Sequence, residues 1–132
     1  MLGDLIYEAK GKTLGLRVLD DNGTMEMTIM EHGVVFGTEC TTTVTLVSKH
    51  RPDGTQYSEG HGIMSTKDGD TATLTLSGIT IPKGLPPFGS VRGATFFNTQ
   101  SPKISRLNRV VCVFEAELNG DMSYTVKDWE WK

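Results

Sequence analysis

Four short glycine-bearing turns divide this chain into segments of strand length. Asp21-Asn22-Gly23, Pro52-Asp53-Gly54, Lys67-Asp68-Gly69-Asp70 and Asn119-Gly120-Asp121 each lie between runs rich in Thr, Val, Ile, Leu and aromatic residues. Asn and Asp beside Gly reach the positive-φ conformations that reverse a chain tightly, so such turns join antiparallel neighbours. Hairpins in series make a meander, and the fold class that follows is all-β.

Within the segments apolar and polar residues alternate. Leu14, Leu16 and Val18 alternate with Thr13, Gly15 and Arg17; Met25, Met27 and Ile29 with Glu26 and Thr28; Ala72, Leu74 and Leu76 with Thr71, Thr73 and Thr75. A period of two describes a strand that is dry on one face and wet on the other. The pattern predicts strands over Leu5–Lys10 and Thr13–Asp20 with a turn at Gly11-Lys12. A third strand holds Met25, Met27 and Ile29, and His32-Gly33 leads into a long strand, Val34–Lys49, bent at Gly37. Further strands cover Thr55–Thr66, Thr71–Ile81, Val91–Asn98, Val110–Leu118 and Met122–Trp131. Thr99–Asn108 holds one helical turn, with Ser101 as cap and Pro102 at its first position. Three prolines in Pro82–Gly89 forbid a central strand, so this segment reads as a loop at one end, a flap.

An open meander this long leaves two unpaired edges that invite aggregation, and closure removes them. The expected architecture is one domain, a closed antiparallel meander β-barrel of eight to nine strands, with a two-sheet sandwich as the alternative. Eight strands enclose a space that side chains fill or that holds one small ligand.

The composition excludes several functions. A net charge of -3 over 132 residues gives no broad cationic field for nucleic acid or anionic lipid. Cys40 and Cys112 stand inside strands without CxxC or Cys/His spacing, which predicts buried thiols rather than zinc ligands. His32, His50 and His61 are dispersed, and there is neither a phosphate-binding glycine loop nor a Gly-x-Ser-x-Gly elbow, so no metal or cofactor is expected. The start of the chain lacks the pattern of a signal peptide, and no run has membrane-spanning length, which gives a cytoplasmic expectation.

Three groups of residues carry candidate chemistry. Tyr57, Glu59 and His61 share one strand face, about 7 Å apart per step. A carboxylate beside a histidine forms an acid/base pair, and these three are the catalytic candidates; the bland alternative is a solvated face. Arg92, Glu115, Phe96 and Met27 are the ligand-binding candidates. The even face Val110, Cys112, Phe114, Ala116 and Leu118 is apolar and should point inward, which puts Glu115 outside; in the reverse register Glu115 is buried and Arg92 is its partner. Met25, Met27 and Met30 supply adaptable apolar surface, for a ligand or an ordinary core. Trp129 and Trp131 share a face that closes the barrel, stacks a ligand or joins a second copy as a homo-oligomer.

Gly60-His61-Gly62, Lys67-Asp68-Gly69-Asp70, Arg92-Gly93-Ala94-Thr95-Phe96-Phe97, Val113-Phe114-Glu115-Ala116-Glu117-Leu118 and the closing Trp129-Glu130-Trp131-Lys132 together resemble the allene oxide cyclase-like and wider calycin-like barrels, over the second half of the chain. The resemblance implies an antiparallel barrel whose apolar cavity binds a lipid or small hydrophobic molecule or guides a cyclisation. It supplies no catalytic motif that maps onto residues here. The expectation is a barrel that binds a small hydrophobic molecule, with an isomerase or cyclase, or a structural oligomer, as alternatives.

Overall fold

A computed structural model describes residues 2–84 and 88–132. Eight antiparallel strands follow one another around a closed barrel. They are β1 (Leu2–Val18), β2 (Met25–Val35), β3 (Thr38–His50), β4 (Gln56–Thr66), β5 (Thr71–Pro82), β6 (Gly89–Asn98), β7 (Cys112–Leu118) and β8 (Ser123–Trp131). Each pairs with its successor, and β1 also pairs with β8, so the sheet has no free edge and is not a sandwich.

Two boundaries differ from the sequence expectation. Gly11-Lys12 is no turn: β1 runs straight through it, paired with Glu31 and Met30 on one side and with Tyr124 and Ser123 on the other. Gly11 is there for space. A Cβ at this position would stand 2.5 Å from the Tyr124 ring and 2.9 Å from Glu31 Cγ. Conversely, the bend expected at Gly37 is a full hairpin turn. Phe36 and Gly37 both have positive φ, 48° and 78°, as a two-residue turn of the primed type requires. Phe36 hides this turn, because an aromatic at a left-handed position is uncommon. Merging the first two expected strands leaves eight.

The two ends of the barrel are built differently. One is plugged by a 3₁₀ helix, Pro102–Arg109, with Pro at its start as expected. Ser101 stands at the cap position without capping; its Oγ instead accepts the Thr71 backbone N–H at 3.3 Å. Ile104 and Leu107 of the helix are buried in one core with Ile6, Val35, Met64 and Cys112. Arg106 ties the plug down through Asp4 at 2.9 Å and Glu130 at 3.3 Å, with its guanidinium 5.6 Å from the Phe36 ring centre.

The opposite rim carries the β1–β2, β3–β4, β5–β6 and β7–β8 connections. The flap expected over 82–89 includes residues 85–87, which lie outside the described residues. Of its remainder, Phe88 sets its ring against Gly120, where a Cβ would come within 2.5 Å. The β7–β8 turn closes with Asn119 N–H on Ser123 O at 2.8 Å, as Arg51–Thr55 and Thr66–Asp70 close the β3–β4 and β4–β5 turns. The left-handed residue is Gly54 in one and Gly69 in the other, but Met122, at φ 73°, in the β7–β8 turn.

The wall alternates as the sequence predicts. Cys40, Thr42 and Val44, then Ala72 and Leu74, then Cys112, Phe114 and Ala116 are buried, while Thr41, Thr43, Thr73, Val113 and Glu115 between them are more exposed. The register of β7 is therefore the one that places Glu115 and Glu117 outside. No helix among the described residues is long and apolar enough to cross a membrane.

Candidate functional site: the barrel lumen

Beyond the plug the barrel is hollow. A cavity of about 260 Å³ extends from the rim to the middle of the barrel. Its walls are Met25, Met27 and Ile29 of β2, Val44 and Leu46 of β3, Leu74 and Leu76 of β5, and Phe97, Phe114 and Val126. Glycines shape this bore. Gly78 and Gly93 face each other across β5 and β6, and a Cβ on either would press on the Phe114 ring, at 3.1 and 2.7 Å. The space at Gly60 and Gly62 goes to β3 neighbours, Leu46 and Val44.

The floor of the cavity is polar. Tyr124, Gly11, Glu31 and Thr42 form one row across β8, β1, β2 and β3. Because Gly11 has no side chain, the Tyr124 hydroxyl crosses it and donates to Glu31 Oε2 at 2.5 Å. Tyr7 donates to Glu31 Oε1 at 2.6 Å, and its oxygen lies 2.9 Å from Thr42 Oγ1. Asp128, paired with Tyr7 in the β1–β8 ladder, is 3% exposed and is supported by the Thr95 hydroxyl.

Removing carboxyls from water favours their protonated forms. Burial raises the Glu31 pKa, against the pull of the two phenol hydrogen bonds. Burial pushes Asp128 up to about 8, with the charge of Glu31 as the second cause and the Thr95 hydrogen bond opposing both. Tyr7 and Tyr124 are likewise raised by burial and by Glu31. Cys40 and Cys112 are free and buried, as expected, and burial raises their thiols to about 11 and 12, so neither is an activated nucleophile. At neutral pH the floor therefore holds a protonated carboxyl beside a carboxyl braced by two phenols.

The catalytic and ligand-binding candidates named from sequence lie elsewhere, with one exception. Met27 lines the cavity. Glu59 and His61 are exposed on the outer wall, where Tyr57 donates to Glu59 at 3.1 Å, so this trio adjoins a shallow outer groove and not the lumen. Phe96 is 49% exposed beside the same groove. Arg92 and Glu115 do meet, Nε to Oε1 at 3.6 Å, but on the outer face, with Glu117 as a second partner at 3.5 Å. Trp129 is half-buried and Trp131 60% exposed on the outer wall; they pair with Leu5 and Leu2 of β1. Glu31 and Asp128 escaped the sequence reading although a signal for each exists. The alternation of Met25, Met27 and Ile29, carried two residues further, puts Glu31 on the apolar face, and Tyr124 and Val126 do the same for Asp128.

No family model and no curated protein sequence matches this chain. Solved structures do. A protein of unknown function from Clostridium acetobutylicum ATCC 824 superposes with a TM-score of 0.85 at 14% identity, over 98% of this chain and 97% of that one. A β-barrel-like protein from Acinetobacter baumannii AYE gives 0.76 at 16%, over 98% and 94%. An enzyme from Penicillium herquei gives 0.64 at 18%, over 98% and 96%. Likeness at such low identity establishes the barrel and nothing finer; none of the three bears the name of allene oxide cyclase.

Proposed function

We propose that the lumen binds a small, mostly apolar molecule whose one polar end meets the Tyr7–Glu31–Tyr124 floor. The observation that carries this reading is a 260 Å³ space with an apolar wall and a polar end. Ligand sites have this composition, a greasy body with a few placed polar groups. An apolar cavity of about 150 Å³ already accepts benzene, so a ring with a short side chain fits here. Thermal denaturation in the presence of neutral probes (2-phenylethanol, short terpenoid alcohols) tests it. At 100 times Kd a ligand adds about 2.7 kcal/mol to folded-state stability and raises Tm by several degrees. Leu118→Trp, which fills the mouth, should abolish the rise while the circular dichroism spectrum stays that of a barrel. No rise with any probe removes the proposal.

A second reading, an isomerase or cyclase, is favoured by the floor itself. A protonated Asp128 beside a phenol-braced Glu31 offers a proton donor and a proton acceptor at the end of a mostly apolar cavity, the division of roles that acid–base catalysis needs. The residues that would carry it are Glu31 and Asp128 rather than the exposed Glu59, His61 and Tyr57. Once a substrate is found, Glu31→Gln and Asp128→Asn should lose turnover and His61→Ala should keep it. The reverse result would return the chemistry to the outer wall.

A further inference from the structure

Acids and bases are sorted between the inside and the outside of this barrel. Every Lys, Arg and His among the described residues is exposed, and none lines the cavity. The titratable groups of the interior are Tyr7 on β1, Glu31 on β2, Cys40 on β3, Cys112 on β7, and Tyr124 and Asp128 on β8, all of them acids. The cation whose charge reaches this group, Arg106 as felt at Cys112, is held at the plugged end by Asp4 and Glu130. On the outer wall the same chain pairs its carboxylates with cations: Asp68 with Lys103, Asp4 with Arg106, Glu115 with Arg92. The two carboxyls it buries most deeply receive only hydroxyl partners. A buried carboxyl without a cation is costly, and a chain that had only to fill its bore would do so more stably with Leu or Phe.

Building on the lumenal binding proposed above, we infer that the cavity is selective for apolar amines, bound with the hydrophobic body among Met27, Leu46, Leu76 and Phe114 and the ammonium on the Glu31/Asp128 floor. An ammonium carries the charge the floor lacks and has three donors to share. Each Glu31 oxygen accepts one phenol hydrogen bond and keeps a second acceptor site, and the two phenol oxygens also accept. Neutral alcohols can use the same hydrogen bonds but bring no countercharge. An anionic ligand meets two acids and no base, which turns away fatty acids.

Binding of an amine at this floor has a pH signature. Asp128 holds its proton to about pH 8, so an arriving ammonium must displace it. An alkylamine, like a lysine, stays charged up to about pH 10. Amine affinity should therefore rise between pH 6 and 8 while alcohol affinity stays level.

Calorimetric titration of the intact chain with three probes that share a phenylethyl body tests this: 2-phenylethylamine, 2-phenylethanol and 3-phenylpropionate. The expected result at pH 8 is an amine at least about tenfold tighter than the alcohol, with no binding of the propionate. Asp128→Asn should weaken the amine, abolish its rise between pH 6 and 8 and leave the alcohol unchanged. If that variant does not fold, the comparison of probes on the unaltered chain still decides. Propionate binding as tightly as the amine, or alcohol binding more tightly than amine, overturns the charge selectivity while leaving lumenal binding intact. If none of the three binds, lumenal binding itself fails and the selectivity with it.

Discussion

Two clusters of acids and tyrosines sit on this barrel, one inside and one outside. Outside, Tyr57, Glu59 and His61 lie along a single strand in water. Inside, Tyr7, Glu31, Tyr124 and Asp128 come from three strands and share a floor sealed from water on the plugged side. The residue types are nearly the same; their surroundings are not. Solvent levels the outer group, so its hydrogen bonds are weak and its charges screened. Burial makes the inner group strong, mutually dependent and perturbed. Spacing along one strand draws attention in a sequence, but it is enclosure that gives a cluster chemical consequence.

The contrast can be broken by mutation. Glu31→Ala strands the Tyr124 hydroxyl and opens a void, and should destabilise the fold by about 3 kcal/mol, or about 10 °C in Tm. Glu59→Ala should change it by less than about 0.5 kcal/mol. Equal losses would mean that enclosure makes no difference. Gly11→Ala drives a methyl into the Tyr124 ring and Glu31, and should cost about 2 kcal/mol and weaken the floor without removing any functional group.

Stability against pH tells the two kinds of carboxyl apart, because their contributions have opposite signs. The Asp128 pKa is raised from 3.8 to about 8, so above pH 4 the unfolded chain loses this proton while the folded one keeps it. Its contribution falls as pH rises from about 4 to 8, by up to about 1.4 kcal/mol per pH unit. The outer Asp4 and Asp68 are held below the usual value by hydrogen bonds from Arg106 and Lys103, so their contribution is present above pH 4 and lost as pH falls. Urea denaturation of the unaltered chain and of Asp128→Asn between pH 5 and 8 isolates the inner term. Parallel curves would place Asp128 in water.

The rim gives a smaller effect. Met122 holds a left-handed conformation that glycine holds in two equivalent turns, at a cost of about 1 kcal/mol. Met122→Gly should stabilise the fold by about that much while weakening ligand binding, since Met122 also lines the cavity. Stabilisation with unchanged affinity would separate the rim from the site.

The sequence carries the architecture well and the site poorly, for physical reasons. Period-two alternation is a local property, and it marks the correct inward face of β3, β5 and β7, hence the outward placement of Glu115; Arg92 follows only once the register pairs it with Glu115 on β7. The hairpins at Gly54, Gly69 and Asn119-Gly120 are equally local. Gly11 and Phe36-Gly37 mislead because their roles are set by contacts from distant strands: Gly11 by a tyrosine from β8, and Phe36 by Arg106 and by a hydrogen bond from its N–H to Ile6 O. The floor is harder still. Its row joins residues 11, 31, 42 and 124, and only the closed register brings them together.

The most direct test follows the methionine methyl groups by NMR during titration with 2-phenylethanol and 2-phenylethylamine. Met25, Met27 and Met122 line the lumen, whereas Met30 faces outward on β2 and Met64 is packed in the core by the plug. A guest in the barrel predicts shifts at the first three that saturate together, with Met30 and Met64 unmoved. Shifts confined to Met30, or none at saturating probe, would contradict it.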